Sequence, residues 1–254
     1  MKSVVDTHAH LCDAAFDTDR EAVLERARNA GIAAVIAVGE DLADAQKNLL
    51  LADKHSMVRP AAGLYPTHLS LELAAKMCEF IRSHRDKLVA IGEVGLDYWM
   101  VKEESDREIQ REIFRSFIEL SKELALPLNV HSRSAGRHAV DVLLQTAAAR
   151  VQIHAFDGKA SAALPAVEAG FFFSIPPSVV RSEQKQRLVR RLPLSSLLIE
   201  TDSPVLGPVP QERNEPANAP IAVRAIAELI GITVDEVVEA VAENTRRLYG
   251  EACS

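Results

Sequence analysis

Short apolar runs alternate with longer segments of helical periodicity along the chain, and this alternation restricts the fold more than any other feature of the sequence. It is typical of parallel βαβ units, in which each strand is followed by a helix that returns the chain to the same end of a sheet. Eight runs are predicted to be strands: 3–6, 33–38, 58–64, 88–93, 127–131, 151–156, 171–175 and 197–201.

The segments between these runs are predicted to be helices: 19–30, 41–55, 69–85, 106–124, 135–146, 160–168 and 183–191, with a closing pair at 220–230 and 233–248 that follows the start signals Thr233 and Asp235. Eight βα units without a Pro-, Gly- or Ser-rich linker predict an α/β fold, a (β/α)8 TIM barrel, regular or distorted, as a single domain over 1–254. A doubly wound open sheet is the alternative, but no glycine-rich dinucleotide turn follows the first strand.

Composition narrows the class of protein. Of the 254 residues 48% are apolar and 26% are charged, so a sizeable folded core is expected. No apolar run is long enough for a membrane span, and the first residues lack the basic and apolar regions of a secretory signal. Cys12, Cys78 and Cys253 form no disulfide framework, so a reduced, cytoplasmic compartment is expected. The net charge of −7 argues against coating of nucleic acid by the whole surface, but is compatible with a local site.

The first predicted strand leads into two histidines, His8 and His10, two residues apart. Side chains at positions i and i+2 of a strand share one face, and Asp6 belongs to the same series. Two neutral imidazoles side by side are suited to binding a divalent cation, although an isolated His-x-His is more often an ordinary surface pair.

The other residues able to bind metal also fall at the carboxyl ends of predicted strands, where a barrel brings its catalytic residues together. The full candidate set is His8, His10, Glu93, His131, His154 and Asp202. Four histidines and two carboxylates, one of them able to bridge, suit two divalent ions, with zinc, manganese and magnesium as the candidates.

The stretches around these residues carry a family resemblance that covers essentially the whole chain. The sequence resembles the TatD-type metal-dependent deoxyribonucleases, a branch of the amidohydrolase-like metal barrels. The matching stretches are Asp-Thr-His-Ala-His-Leu from 6, Gly-Glu-Val-Gly-Leu-Asp-Tyr from 92, Asn-Val-His-Ser-Arg from 129, Ile-His-Ala-Phe from 153, Glu-Thr-Asp-Ser-Pro from 200 and Asn-Thr-Arg-Arg-Leu from 244.

The resemblance implies metal-dependent hydrolysis of DNA phosphodiester bonds, with an exonuclease acting on single-stranded or frayed ends as the expected activity. We hypothesise that His8, His10, Glu93 and Asp202 hold one ion, and that Glu93 bridges to a second ion held by His131 and His154. Asp202 and Glu93 are the expected catalytic residues, with Asp202 orienting the attacking water or accepting its proton. No membrane association and no obligate protein partner are expected.

One position departs from the family pattern. The family has Gly-x-His-Pro at the end of the third strand, and here Tyr65 occupies the histidine's place, with His68 three residues on. A phenol still donates a hydrogen bond to phosphate but does not replace an imidazole as an acid. The departure therefore concerns substrate choice and rate more than metal binding.

Positive charge for the substrate phosphate is expected from Arg133, whose guanidinium offers two parallel donors, with a supporting role beside a ligand as the alternative. Arg133 and Tyr65 are thus the predicted substrate contacts. A further basic group follows the seventh strand, and most of it is expected to be a solvated helix face: Arg181, Lys185, Arg187, Arg190 and Arg191. Stacking of a base on Tyr98 or Trp99 is a further hypothesis, with a cover of the barrel top as the alternative for these two rings. Asp97 is expected to be a supporting anchor behind the metal ligands.

Two other classes of function remain open. A metal-dependent amidohydrolase or lactonase would use the same ligand set against carbon, and a lysine at the end of the fourth strand would favour it, but Glu93 occupies that place. A non-catalytic scaffold with structural ions would close each site with four protein ligands, whereas a shared six-residue set leaves room for water.

Overall fold

The structure, a computed structural model, describes residues 4–250, in which eight parallel strands pair in chain order from β1 to β8. The strands are β1 Val4–Ala9, β2 Ile32–Ala37, β3 Val58–Ala62, β4 Ala90–Gly95, β5 Leu128–His131, β6 Val151–Ile153, β7 Phe172–Ile175 and β8 Leu197–Ile199. Nearly all of their residues are buried, as expected for a parallel sheet covered on its outer face by helices and filled inside by side chains.

Helices follow each strand on the outside of the barrel. They are α1 Arg20–Asn29, α2 Leu42–Lys54, α3 Leu71–Ser83, α4 Glu104–Leu124, α5 Gly136–Gln145, α6 Ala160–Glu168, α7 Glu183–Arg191, α8 Ala219–Ile230 and α9 Val234–Tyr249. The side chain of Thr233 accepts from the backbone of Glu236, whose carboxylate in turn binds the Thr233 backbone. This capping box starts α9 at the predicted place.

The barrel closes between β8 and β1 just beyond the regular end of β8. The Asp202 N–H donates to the His8 carbonyl at 2.8 Å, and the His10 N–H donates to the Ser203 carbonyl at 2.8 Å. The carboxylate of Asp6 accepts from the backbone and the hydroxyl of Thr201, at 2.8 and 2.5 Å. Asp6 therefore helps to close the barrel between β1 and β8. It has this role although it lies on the same face of β1 as the histidine pair.

The barrel interior has an apolar layer below a polar one. Alternate strand residues form the apolar layer together with Leu248 and Tyr249 from the end of α9: Val5, Ala34, Ile36, Val38, Ala61, Ala90, Phe172 and Leu198. Fully buried polar side chains from β5, β6 and β7, and from just beyond β8, lie above it: Asn129, Gln152, Ser174 and Glu200. The predicted metal ligands follow these residues toward the carboxyl ends of the strands.

Two glycines allow β4 and β5 to approach each other closely. A Cβ on Gly92 would lie 2.6 Å from the Cβ of Asn129, and one on Gly95 would lie 2.1 Å from the carbonyl oxygen of His131. Gly95 also has φ +144°, a conformation that side chains disfavour. The glycines of the Gly-Glu-Val-Gly stretch thus bring Glu93 against the neighbouring strand.

The barrel predicted from the sequence is confirmed, with every predicted strand and helix at its expected place in the chain order. Several bounds differ. β1 continues through His8 to Ala9, while β3, β6 and β8 end two or three residues early, because their last predicted residues bend into the rim. Four short 3-10 helices, at Ala14–Phe16, Pro177–Val180, Leu194–Ser196 and Pro216–Asn218, were not predicted.

Ser3 and Cys253 lie outside the described residues, and the domain limits 1–254 remain a prediction. Among residues 4–250, no helix is both long and apolar enough to cross a membrane.

Candidate metal centre

His8, in β1, and His10, just beyond its end, face two carboxylates from other parts of the barrel. The Nε2 atoms of His8 and His10 are 3.3 Å apart. Glu93 Oε2 lies 3.3 Å from the His10 nitrogen and 3.8 Å from that of His8, and Asp202 Oδ1 lies 3.6 and 3.4 Å from them. Four donor atoms at such spacings surround one position suited to a small cation.

The other oxygen of Glu93 faces a second pair of histidines. Glu93 Oε1 lies 2.6 Å from His131 Nδ1 and 2.7 Å from His154 Nε2, and these two nitrogens are 3.1 Å apart. Each oxygen of one carboxylate is therefore directed at a different histidine pair. This is the arrangement of a bridging ligand.

Asp202 reaches the cluster through an unusual backbone conformation. Its φ is +54°, in the left-handed region that Asp tolerates better than most residues. The bond from its N–H to the His8 carbonyl holds this conformation in place. Strain of this kind concentrates at functional sites, where the surrounding structure maintains it.

The two carboxylates of the cluster are ionised although they are buried. Burial would raise the pKa of Glu93, but its interactions with the facing His154 and His131 imidazoles hold it well below its usual value. Burial likewise opposes ionisation of Asp202, yet hydrogen bonds from His10 and His8 lower its pKa. Burial lowers the pKa of His154 to about 4, which leaves an imidazole with a free lone pair at neutral pH. Both carboxylates are thus ionised and His154 is in the form that binds metal.

A divalent cation fits these residues. Glu93 Oε2, which faces His8 and His10, is buried without a hydrogen-bond partner, and this is costly for a polar atom. Glu93 and Asp97 outweigh the burial of His131 and raise its pKa to about 9, so the cluster favours positive charge at this position. Three overlapping triads of donor atoms each lie within 4.8 Å: His8 with His154 and Asp202, His8 with His10 and Glu93, and Glu93 with His131 and His154.

The sequence profile of the family described as TatD related DNase matches residues 5–250. The chain belongs to the TatD-related DNase family. The human protein named deoxyribonuclease TATDN3 is 42% identical, over 97% of this chain and 94% of the relative. A protein of Erwinia amylovora named 3'-5' ssDNA/RNA exonuclease TatD is 33% identical, over 96% of this chain and 99% of the relative. The solved structure of YJJV, a TatD homologue from Escherichia coli, superposes with a TM-score of 0.89 at 28% identity and covers 97% of each chain.

The histidines of this TatD-family centre are oriented by residues behind them. His131 Nε2 lies 3.1 Å from Asp97 Oδ2, which directs its other nitrogen toward Glu93. His8 Nδ1 lies 2.8 Å from Asn129 Oδ1, which leaves Nε2 facing the carboxylates. Such partners fix the tautomer of a metal-binding histidine. The contact with His131 is the one expected of Asp97 as a supporting anchor.

The cavity above the centre has a volume of about 500 Å³ and contains both predicted substrate contacts, Tyr65 and Arg133. Tyr65 lies with its ring 5.0 Å from that of His131 and donates from its hydroxyl to Asp97 Oδ2 at 3.4 Å. Arg133 is exposed at the rim. Tyr98, in contrast, is buried with its hydroxyl bonded to Arg111, so stacking of a base on Tyr98 is excluded.

Lys185 also lines the cavity, although the sequence analysis did not distinguish it from the other basic residues after the seventh strand. Its Nζ donates to the Ala155 carbonyl at 3.2 Å beside His154, while Arg187, Arg190 and Arg191 are exposed as expected. Glu200 accepts from the Ala155 N–H at 2.8 Å and from Ser174 Oγ at 2.6 Å. Burial raises the pKa of Glu200 to about 8 despite the nearby charge of His8. Glu200 and Lys185 thus bind the backbone of the same residue, Ala155.

Proposed function

We propose that this chain is a metal-dependent deoxyribonuclease that hydrolyses phosphodiester bonds at the ends of single-stranded or frayed DNA. The observation that carries the proposal is Glu93, whose two oxygens face two histidine pairs in an open cavity. The names of the human and Erwinia relatives support DNA as the substrate and an exonuclease as the mode of action.

Two divalent cations, zinc, manganese or magnesium, are the proposed cofactors. His8, His10, Glu93 Oε2 and Asp202 would hold one ion, and Glu93 Oε1, His131 and His154 the other. When bound, such a pair supplies a water of lowered pKa and neutralises the charge that builds up on the phosphoryl oxygens.

Side chains around the cavity would perform the other steps of the reaction. The Asp202 carboxylate orients the attacking water or accepts its proton, because it is ionised at neutral pH and faces the histidine pair. Arg133 and Lys185 offer positive charge to the phosphate from two sides of the cavity, and the Tyr65 hydroxyl donates a hydrogen bond to it. Water adds to phosphorus, the ester oxygen leaves with a proton, and the products are a phosphate monoester and a shorter strand.

A metal-dependent amidohydrolase or lactonase is the second candidate function. It shares the barrel and the ligand types, but it gains no support from the cations around the cavity, which suit an anionic substrate. We further infer a cytoplasmic location and no obligate protein partner, on the cysteine content and composition of the sequence.

The test is hydrolysis of end-labelled single-stranded DNA by protein stripped of metal and then supplied with magnesium, manganese or zinc in turn. Asp202→Asn provides the comparison. Asp53→Asn is the matched control, since Asp53 is an exposed carboxylate that lines the cavity at the opposite end of the barrel.

We expect metal-dependent shortening by the wild type and the Asp53→Asn protein, and none by Asp202→Asn. A ladder that shortens by single nucleotides would establish an exonuclease, and the labelled end would give its direction. Absence of cleavage with every metal, in protein that retains bound ions, would overturn the nuclease proposal in favour of the carbonyl hydrolase.

A further inference from the structure

Trp99 lies in the loop that follows β4, the strand of Glu93. It is the only tryptophan in the chain, and 54% of it is exposed to solvent. A large aromatic ring left open to water gives up the burial that usually stabilises it. Its position therefore calls for a partner that is absent from the free protein.

Two cations flank this ring. Lys102 Nζ lies 5.0 Å from the ring centre, and the guanidinium carbon of Arg133 lies 5.3 Å from it. Arg133 also lines the metal-centre cavity, two residues after His131. The exposed indole is thus connected to the cavity through a shared cationic side chain.

The loop that carries Trp99 is held in one conformation on both sides of the indole. The Tyr98 N–H donates to the Arg133 carbonyl at 3.0 Å, and the Met100 N–H donates to Asp97 Oδ1 at 2.8 Å. The ring of Tyr98 packs beneath, against the guanidinium of Arg107 at 4.3 Å. A platform fixed in this way loses little conformational entropy when a ligand stacks on it.

An exposed aromatic ring beside cations is the chemistry by which proteins bind single-stranded nucleic acid: the ring stacks on a base and the cations contact the phosphates. We propose that Trp99 is a stacking platform for a base of single-stranded DNA next to the hydrolysed phosphate. Lys102 and Arg133 move from the ring onto the flanking phosphates when the strand binds. This inference rests on the proposed function, since it names a substrate subsite of the same centre.

The platform favours single strands over duplex. A base inside a duplex has both faces covered by its neighbours, whereas a base at a frayed end offers a free face. The stacking therefore adds to the binding of strand ends and does not read a particular base.

The single tryptophan makes the subsite measurable, because the intrinsic indole fluorescence reports on Trp99 alone. The binding experiment uses Asp202→Asn protein, which retains Trp99, titrated with a single-stranded oligodeoxyadenylate. Inorganic polyphosphate is the charge control, since it carries phosphates without bases. We expect quenching by the oligonucleotide and a much smaller change with polyphosphate.

The kinetic experiment compares Trp99→Leu with Met100→Ala in otherwise wild-type protein. Met100 is the neighbouring apolar residue, is 58% exposed and has no aromatic ring. We expect Trp99→Leu to raise KM for single-stranded DNA by about tenfold, with kcat changed less than about twofold. Trp99→Phe should raise KM less than Trp99→Leu does, because a ring is still present. Met100→Ala should have the wild-type KM.

The outcomes separate the two proposals. If the wild type cleaves DNA while its KM is insensitive to Trp99→Leu and the fluorescence does not respond to the oligonucleotide, the platform is overturned and the nuclease stands. Equal quenching by polyphosphate and oligonucleotide would also overturn it, because charge alone would then explain the contact. Failure of the wild type to cleave any DNA would instead overturn the proposed function.

Discussion

His8 Nδ1 donates to Asn129 Oδ1 at 2.8 Å, and this bond determines which nitrogen of His8 faces the metal centre. The Asn129 Nδ2 group donates to the Thr7 carbonyl at 2.9 Å, so the amide oxygen is the atom turned toward the imidazole. An amide oxygen only accepts, so Nδ1 carries a proton and Nε2 is the nitrogen that remains for a cation. Tyr249, at the end of α9, adds a hydroxyl 3.4 Å from the same Nδ2.

Asn129→Leu is expected to lower metal affinity by about 10- to 100-fold, because the imidazole loses the acceptor that fixes its tautomer. Calorimetric titration with manganese measures the affinity. Asn244→Leu is the control, since it removes another buried asparagine, which lies in α9 and donates to the Leu194 and Leu197 carbonyls at the opposite end of β8 from the centre. Equal metal affinity in the Asn129→Leu and wild-type proteins would contradict the orienting role.

Tyr65→Phe is expected to raise KM for DNA by about tenfold, the effect of losing a hydrogen bond to a charged phosphate. Burial, with the charges of Glu93 and Asp97, raises the pKa of the Tyr65 phenol far above its ordinary value, so it acts as a neutral donor. Tyr98→Phe is the control, because the Tyr98 hydroxyl is bonded to Arg111 outside the cavity. Steady-state kinetics in which both variants match the wild type would rule out a substrate contact by Tyr65.

Gly95→Ala is expected to destabilise the protein by several kcal/mol, well beyond the roughly 1–2 kcal/mol cost of a positive φ alone. The added Cβ would lie 2.1 Å from the His131 carbonyl and force β4 away from β5. Gly170→Ala is the control, since Gly170 has φ +85° and nothing within 4 Å of an added Cβ. Urea denaturation measures the free energy of unfolding of both variants. A similar loss of stability in the two would show that close contact with β5 is not the reason for a glycine at position 95.

Chelation of metal is expected to lower the thermal midpoint, because the buried histidines and carboxylates are then left without their cation. A ligand at about 100 times its Kd stabilises a fold by about 2.7 kcal/mol, so resupplied manganese or zinc should restore the midpoint. Asp202→Asn should gain less from metal than wild type. Identical midpoints in chelator and in saturating metal would contradict a cation site within this cluster.

The sequence predicted the barrel and the six clustered residues because each of the six belongs to an apolar run or directly follows one. In a parallel barrel, such positions converge irrespective of the details of packing. Small errors in strand ends did not matter: His8 lies inside β1 and Glu93 inside β4, yet both reach the centre.

The supporting residues were less accessible to sequence reasoning. The alternation in β5 turns Val130 outward and Asn129 into the barrel. Nothing in this pattern indicates that Asn129 contacts His8. Lys185 belongs to a helix that otherwise reads as solvated, and its contact with Ala155 depends on how α7 packs against the rim. Local periodicity gives the direction of a side chain, whereas these roles depend on contacts distant in sequence.

Metal content and DNA hydrolysis, measured on the same samples of wild type and Glu93→Gln, test the central claim most directly. Glu93 has one oxygen toward each histidine pair, so its replacement should loosen both ions together. The account predicts loss of bound metal and a fall in the hydrolysis rate of at least about 100-fold. Wild-type metal content and rate in the Glu93→Gln protein would contradict the bridging role and the metal centre built on it.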